Sequence, residues 1–239
     1  MTTKYVLRYH EAPTPIRTLT TKFGGQPVWL EEPSWPLSRA YGTPMQFICQ
    51  IALPAEFLAA EGARMVYLFV TDDYDHGYRA STFEPDGGEN ALILQPAGQW
   101  EGPTHPLRSG PTLYRRTWTG RDFDPDTGAG WDRTPGEWAV ELQAGEDPAG
   151  GAWGDRDGDD PVAWRSYRDA LAEDKIGGTP VPTINDPTFP DAEQWRLLLQ
   201  LNTKENEIGD PFFLNFADDG VGYAFLSREG RRAQFFWSR

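Results

Sequence analysis

Asp72, Asp73, Asp75 and His76 form the densest set of groups in this sequence that could do chemistry. Carboxylates beside an imidazole can share a proton or ligate a divalent cation. A carboxylate- or metal-dependent enzyme, or a carbohydrate-binding protein, could be built on such a cluster. A solvated turn has the same composition. A second acidic turn, Asp218, Asp219 and Gly220, repeats the aspartate pair with Val221 where the histidine would stand. A motif that returns without its imidazole reads as turn geometry, so these acids are expected to cap local backbone amides.

Asp155, Asp157, Asp159 and Asp160 alternate as the ligands of a calcium loop do, and Asp122, Asp124 and Asp126 do so again. Position twelve of the run that starts at Asp155 is Ser166, where a bidentate Glu is required, and Thr127 stands where the turn needs Gly. Asp155, Asp157 and Asp159 are therefore weak calcium candidates, a solvated acidic loop is the stronger expectation, and no cofactor is expected. Nucleophilic catalysis needs a base beside Ser, Thr or Cys, and the chain has three histidines, His10, His76 and His105. It has no Gly-x-Ser-x-Gly elbow. The one cysteine, Cys49, lies in the apolar run 45–51, which predicts a buried, inert thiol.

Ten tryptophans are a further resource. Trp29 and Trp35, with Trp100, Trp118, Trp131, Trp138 and Trp153, could stack on sugar rings or anchor a protein partner. They could equally fill a β-rich core, and for any one of them burial is the expectation.

Charge narrows the partners. In 239 residues, 22 Lys and Arg stand against 36 Asp and Glu, a net charge of -14. That field repels phosphate backbones, and the basic residues near the end, Arg228, Arg231, Arg232 and Arg239, are too sparse for a nucleic-acid arm. No run of apolar residues is long enough to span a membrane and no secretory pattern opens the chain, so a cytoplasmic location is expected.

These groups are positioned by elements that recur. Lys22-Phe23-Gly24-Gly25-Gln26-Pro27-Val28 returns as Lys175-Ile176-Gly177-Gly178-Thr179-Pro180-Val181, and Phe47-Ile48-Cys49-Gln50-Ile51 as Leu197-Leu198-Leu199-Gln200-Leu201. Residues 67–73 then match residues 213–219, placing the two acidic turns in register. The Gly-Gly pairs lack the spacing of a phosphate loop and read as corners. Short apolar runs at 45–51, 65–70, 91–94, 197–201, 212–216, 223–226 and 233–237 predict strands. Helices are expected at 54–61 and 162–171. The fold class that follows is mainly β with a few short helices: a β roll with internal duplication, in which two similar β-rich halves pack together. Residues 1–118 make the first repeat and 161–239 the second. Residues 119–160, rich in Gly, Asp and Trp, are expected to form a long excursion lying back on the first half.

The two Gly-Gly-x-Pro corners, the strands ending in Gln50-Ile51 and Gln200-Leu201, and the stretch Ala217-Asp218-Asp219-Gly220-Val221-Gly222-Tyr223 resemble the YwqG-like family, a bacterial family built on a domain of unknown function. Phe23-Gly24-Gly25 followed by Trp35-Pro36 adds to the likeness. The resemblance implies a mainly-β roll with internal duplication and no established enzymatic activity. It also implies an association with toxin and immunity neighbourhoods, and hence protein binding, with a basic partner favoured by charge.

Overall fold

Most of the short apolar runs become strands where their length and punctuation place them. A computed structural model of the chain describes residues 1–73, 79–96, 98, 100–120, 130–148, 161–185, 187–205 and 209–239. In chain order the strands are β1 (Thr2–Glu11), β2 (Lys22–Gly24), β3 (Trp35–Pro36), β4 (Gln46–Ala52), β5 (Met65–Val70), β6 (Asn90–Gln95) and β7 (Thr104–His105). They continue with β8 (Tyr114–Trp118), β9 (Trp131–Pro135), β10 (Glu137–Asp147), β11 (Lys175–Gly177), β12 (Trp195–Asn202), β13 (Val221–Ser227) and β14 (Ala233–Ser238). One α-helix, α1 (Pro161–Leu171), lies at the expected position. The protein is mainly β.

Ten strands form one sheet in the order β14-β13-β12-β11-β1-β10-β2-β4-β5-β6, every neighbouring pair antiparallel. The edge strands β6 and β14 run alongside each other, so the sheet is rolled nearly shut. Side chains alternate between its faces. The interior is filled by Leu7, Phe23, Leu68, Trp138, Ile176 and Leu226, among others. Outside β4–β6, Trp35, Phe47, Tyr67 and Phe69 form a second core under the segment that carries β3. Outside β12–β14, Leu171 of α1 packs with Val181, Leu197 and Tyr223. Both faces of these strands are dry, so Met65–Val70 is a continuous apolar run with all six residues buried.

Two sets of matching contacts frame the sheet. Gly24 and Gly25 have φ of 62° and 63°, and Gly177 and Gly178 have 73° and 80°. A Cβ on Gly24 would lie 2.3 Å from the Gly136 carbonyl oxygen, and one on Gly178 would lie 2.2 Å from Asp147 Oδ2, so glycine is required by both backbone and space. Beside them, the fully buried Lys22 pairs with Glu137, and Lys175 Nζ lies 2.6 Å from Asp147 Oδ2. Strand β10 supplies both carboxylates. Burial depresses the pKa of Lys22 and of Lys175 against the pull of these partners. Gln50 Oε1 accepts from the Val28 amide and Gln200 Oε1 from the Val181 amide, each at 2.8 Å. The Tyr67 hydroxyl donates to the Val28 carbonyl and the Tyr223 hydroxyl to the Val181 carbonyl. Register shifts fall between Phe47 and Cys49 and between Leu197 and Leu199.

Several expectations are corrected. Residues 137–147 are no excursion, because β10 lies in the middle of the large sheet between β1 and β2, with Trp138 buried in the interior. Its alternation of apolar and polar residues is masked in sequence by flanking glycines and acids. The run 212–216 is not a strand: only Leu214 bridges, to Lys204. Tyr223 therefore takes the place of Tyr67, and the match of residues 67–73 to 213–219 is out of register. The hairpin that ends the sheet turns after Ser227, not at Asp218-Asp219-Gly220, with the Gly230 amide donating to the Ser227 carbonyl. The helix expected at 54–61 is a single 3-10 turn, Ala55–Phe57. Among the described residues, no helix is long and apolar enough to cross a membrane.

Candidate functional site: an aromatic and acidic cleft at the mouth of the sheet

Where β5 ends, Thr71, Asp72 and Asp73 continue past the rim of the rolled sheet, and each is held by its own partner. The Thr71 hydroxyl donates to Glu89 Oε2 at 2.8 Å, and its amide donates to the Glu89 carbonyl. Asp73, 5% exposed, accepts from the Tyr41 hydroxyl at 2.6 Å and from the Ala80 amide. This hydrogen bond pushes the Tyr41 pKa up to about 12. Asp72 Oδ2 accepts from the Tyr114 hydroxyl at 3.0 Å and lies 3.4 Å from Arg133 Nη1. Burial first, and the Asp72 charge second, raise the Tyr114 pKa.

The opposite wall is the segment from Phe213 to Asp218. Two polar side chains pin it: the Ala217 amide donates to Asn215 Oδ1 at 2.6 Å and the Phe216 amide to Thr203 Oγ1 at 3.0 Å. The Thr203 hydroxyl donates in turn to the Ala217 carbonyl. So constrained, Ala217 adopts φ 64° and Asp219 φ 55°, a region L-residues with a Cβ seldom enter and one that concentrates at functional sites. Phe83, 46% exposed, meets Trp237 edge-on, and the Trp237 indole donates to Thr82 Oγ1 at 3.0 Å.

Between these walls lies a cleft of about 400 Å³, lined by Phe83, Tyr114, Phe213, Phe216 and Trp237 and by Asp72, Asp73 and Asp218. The mouth of a rolled sheet is a common place for a binding site. None of its described lining residues is Lys, Arg or His. Among the described cations, the Arg79 charge acts on Tyr41 beside Asp73, and two arginines approach from the two-stranded ribbon β8–β9. There the Arg116 guanidinium lies 3.6 Å from the Phe213 ring centroid and Arg133 lies 5.1 Å from that of Tyr114. Trp118 on the same ribbon is 47% exposed beside Trp131.

The structure brings together Asp72, Asp73 and Asp218. Asp219 and Gly220 line a smaller neighbouring pocket with Arg168 and Asn202. The turn at 217–220 is capped by Asn215 and Thr203, where capping by the acids was expected, and both carboxylates are exposed. Asp75 and His76 lie outside the described residues, as do Asp155, Asp157 and Asp159. Trp35 is fully buried and Trp29 stacks on Phe69, so these two indoles fill the outer core where they were also candidate contacts. Cys49 is buried, and burial raises its thiol pKa. His10 sits exposed 3.5 Å from Glu141, and His105 is exposed on β7. Among the described residues no three of His, Cys, Asp and Glu gather to hold a metal. Sequence reasoning missed Tyr41, Phe83, Tyr114 and Trp237. Trp237 and Phe213 were visible only as members of apolar runs, and Tyr41, Phe83 and Tyr114 carry no local signal. The chain matches no protein-family model, and a search of curated proteins also finds no match.

Proposed function

We propose that this chain is a non-enzymatic, cytoplasmic binding protein of the YwqG-like, immunity type that recognises a basic protein through the cleft and the ribbon beside it. The observation that carries this reading is the cleft itself, an aromatic hollow with acidic groups and an exposed phenylalanine, Phe83, at its rim. Exposed Phe83 and Trp118 are of the residue class that anchors interfaces. The two aspartates nearest the expected chemistry are each held by structural donors, which suits a scaffold more than a general base. A net charge of -14 steers a basic partner toward the surface. The matching corners at Gly24 and Gly177 support reading the chain as two copies of one unit.

The test is capture of a basic partner by the intact chain, repeated with Phe83→Ala, Trp118→Ala and, as a control on another face, Leu58→Ala. Partner affinity is expected to fall by about tenfold or more for the first two, as for the loss of an aromatic anchor, and to hold for the control. Equal affinity in all three would overturn the reading. The cleft volume also lies in the small-ligand range, so a panel of neutral sugars is run beside the partner. Sugar binding abolished by Phe83→Ala would move the assignment to a carbohydrate-binding protein.

A further inference from the structure

We infer that the cleft receives the guanidinium of an arginine side chain presented by the partner, an assignment that rests on the binding role proposed above. The charges around the cleft are unequal. Asp72 shares its carboxylate with Arg133, which offsets much of its field. Asp73 takes its described hydrogen bonds from two neutral donors, the Tyr41 hydroxyl and the Ala80 amide, with the Arg79 charge nearby but no described ion pair. Asp218 stands exposed at the opposite wall. The described lining of the hollow therefore presents carboxylates and no cationic side chain, and low-dielectric aromatic walls strengthen the field of those carboxylates inside it. A neutral or anionic occupant gains nothing from that field.

The walls choose between cations. An ammonium is compact and strongly hydrated, and loses water when pressed against rings. A guanidinium is flat and weakly hydrated, and stacks on an aromatic face while its edge donates to carboxylates. The protein already makes this contact on the far side of the same wall, with Arg116 over Phe213 and Arg133 over Tyr114. On the open side, Phe83 and Trp237 offer the rings, and Asp218 and Asp73 offer the acceptors. A volume of about 400 Å³ accommodates one long side chain, with the aliphatic stem against Val70 and Leu214.

Three capped tripeptides test the assignment on the full chain: Gly-Arg-Gly, Gly-Lys-Gly, and Gly-citrulline-Gly, whose urea group has the shape of guanidinium without its charge. The readout is the indole N–H resonance of Trp237, identified by its loss in Trp237→Phe, because its bond to Thr82 reports on the cleft wall. The arginine peptide is expected to shift this resonance in a saturable way, with affinity at least about tenfold above citrulline and above lysine. Asp218→Asn is expected to weaken the arginine peptide several-fold without changing the melting temperature, and added salt to weaken it further. Citrulline binding as well as arginine overturns the guanidinium assignment and leaves the cleft as the docking site. So does partner capture that depends on Phe83 while no arginine peptide moves Trp237. Partner capture indifferent to both Phe83 and Trp118 overturns the binding role beneath it.

Discussion

Asp147→Asn is the substitution whose cost the structure defines most closely. The Asp147 carboxylate is fully buried, with Oδ1 2.9 Å from Lys4 Nζ and Oδ2 2.6 Å from Lys175 Nζ. Oδ2 also accepts from the Thr179 amide at 2.9 Å. Lys175 is itself fully buried, and its other described acceptor is the Leu171 carbonyl. Asparagine keeps the shape and one acceptor but removes the charge, leaving Lys175 without a counterion in a dry site, while Lys4 keeps Glu173 at 2.7 Å. Breaking one partner of a buried ion pair costs about 3–5 kcal/mol, roughly a fifth or more of the stability of an ordinary domain. Removing both charges avoids the orphan, so Asp147→Asn with Lys175→Met is expected to be more stable than Asp147→Asn alone. Burial depresses the Lys175 pKa in the folded protein, so between its folded and unfolded values the unfolded chain binds more protons and stability rises with pH. Without Asp147 to oppose burial, that rise should begin at lower pH in Asp147→Asn. Urea unfolding of the two singles and the double, repeated from pH 7 to about pH 10, gives both numbers. A single substitution costing under about 1 kcal/mol, or a double as unstable as the sum of its parts, would refute this account of the network.

Four further outcomes follow from named contacts. Cys49, buried and with its thiol pKa raised, should resist thiol reagents in the folded state and react at once in denaturant, as a colorimetric thiol assay reads. Tyr67, whose pKa burial lifts to about 12, should titrate near that value by ultraviolet absorbance. Its raised pKa means stability is intact below the unfolded value of about 10 and is lost as pH climbs toward 12, a loss that Tyr67→Phe should reduce. Ala217→Gly relieves the left-handed backbone at φ 64° and should raise stability by up to about 1 kcal/mol in thermal melts. Asn215→Ala should lower stability by about 1 kcal/mol, while Asp218→Ala leaves it unchanged, because Asn215 and not the aspartate meets the Ala217 amide.

How much of this was legible depends on how locally each feature is written. The two corners were, because Gly-Gly before X-Pro has one economical use and recurs with its buried lysine. Strands β4 and β12 were, since Gln50 and Gln200 sit in otherwise apolar runs and accept from the matching amides of Val28 and Val181. Strand β10 was not: its neighbours are β1 and β2, far away in sequence, and Glu137–Asp147 alternates too weakly to announce burial of Trp138. The match of 67–73 to 213–219 went astray because aromatic runs before Asp-Asp look alike whether they are strands or loops. That Asp72, Asp73 and Asp218 line one cleft was not legible, because the match related the two acidic turns as equivalent positions and said nothing of their distance. The aromatic half of that cleft comes from four separate stretches of chain, and no spacing rule connects Phe83, Tyr114, Phe213 and Trp237.

The placement of β1 sets a schedule for folding. Lys4 pairs across the sheet with Gly145 on one side and Gly177 on the other, so this strand precedes both its neighbours by well over a hundred residues. Loop closure over such a span must be met before the pairing returns anything, and topologies of this kind fold in milliseconds to seconds rather than microseconds. During synthesis the strand Thr2–Glu11, with Tyr5, Val6, Leu7 and Tyr9, waits with both edges unsatisfied. The charges of Lys4, Arg8 and Glu11 are then its protection against pairing with another nascent copy, and neutralising the exposed Arg8 and Glu11 should show first as lost refolding yield at high protein concentration.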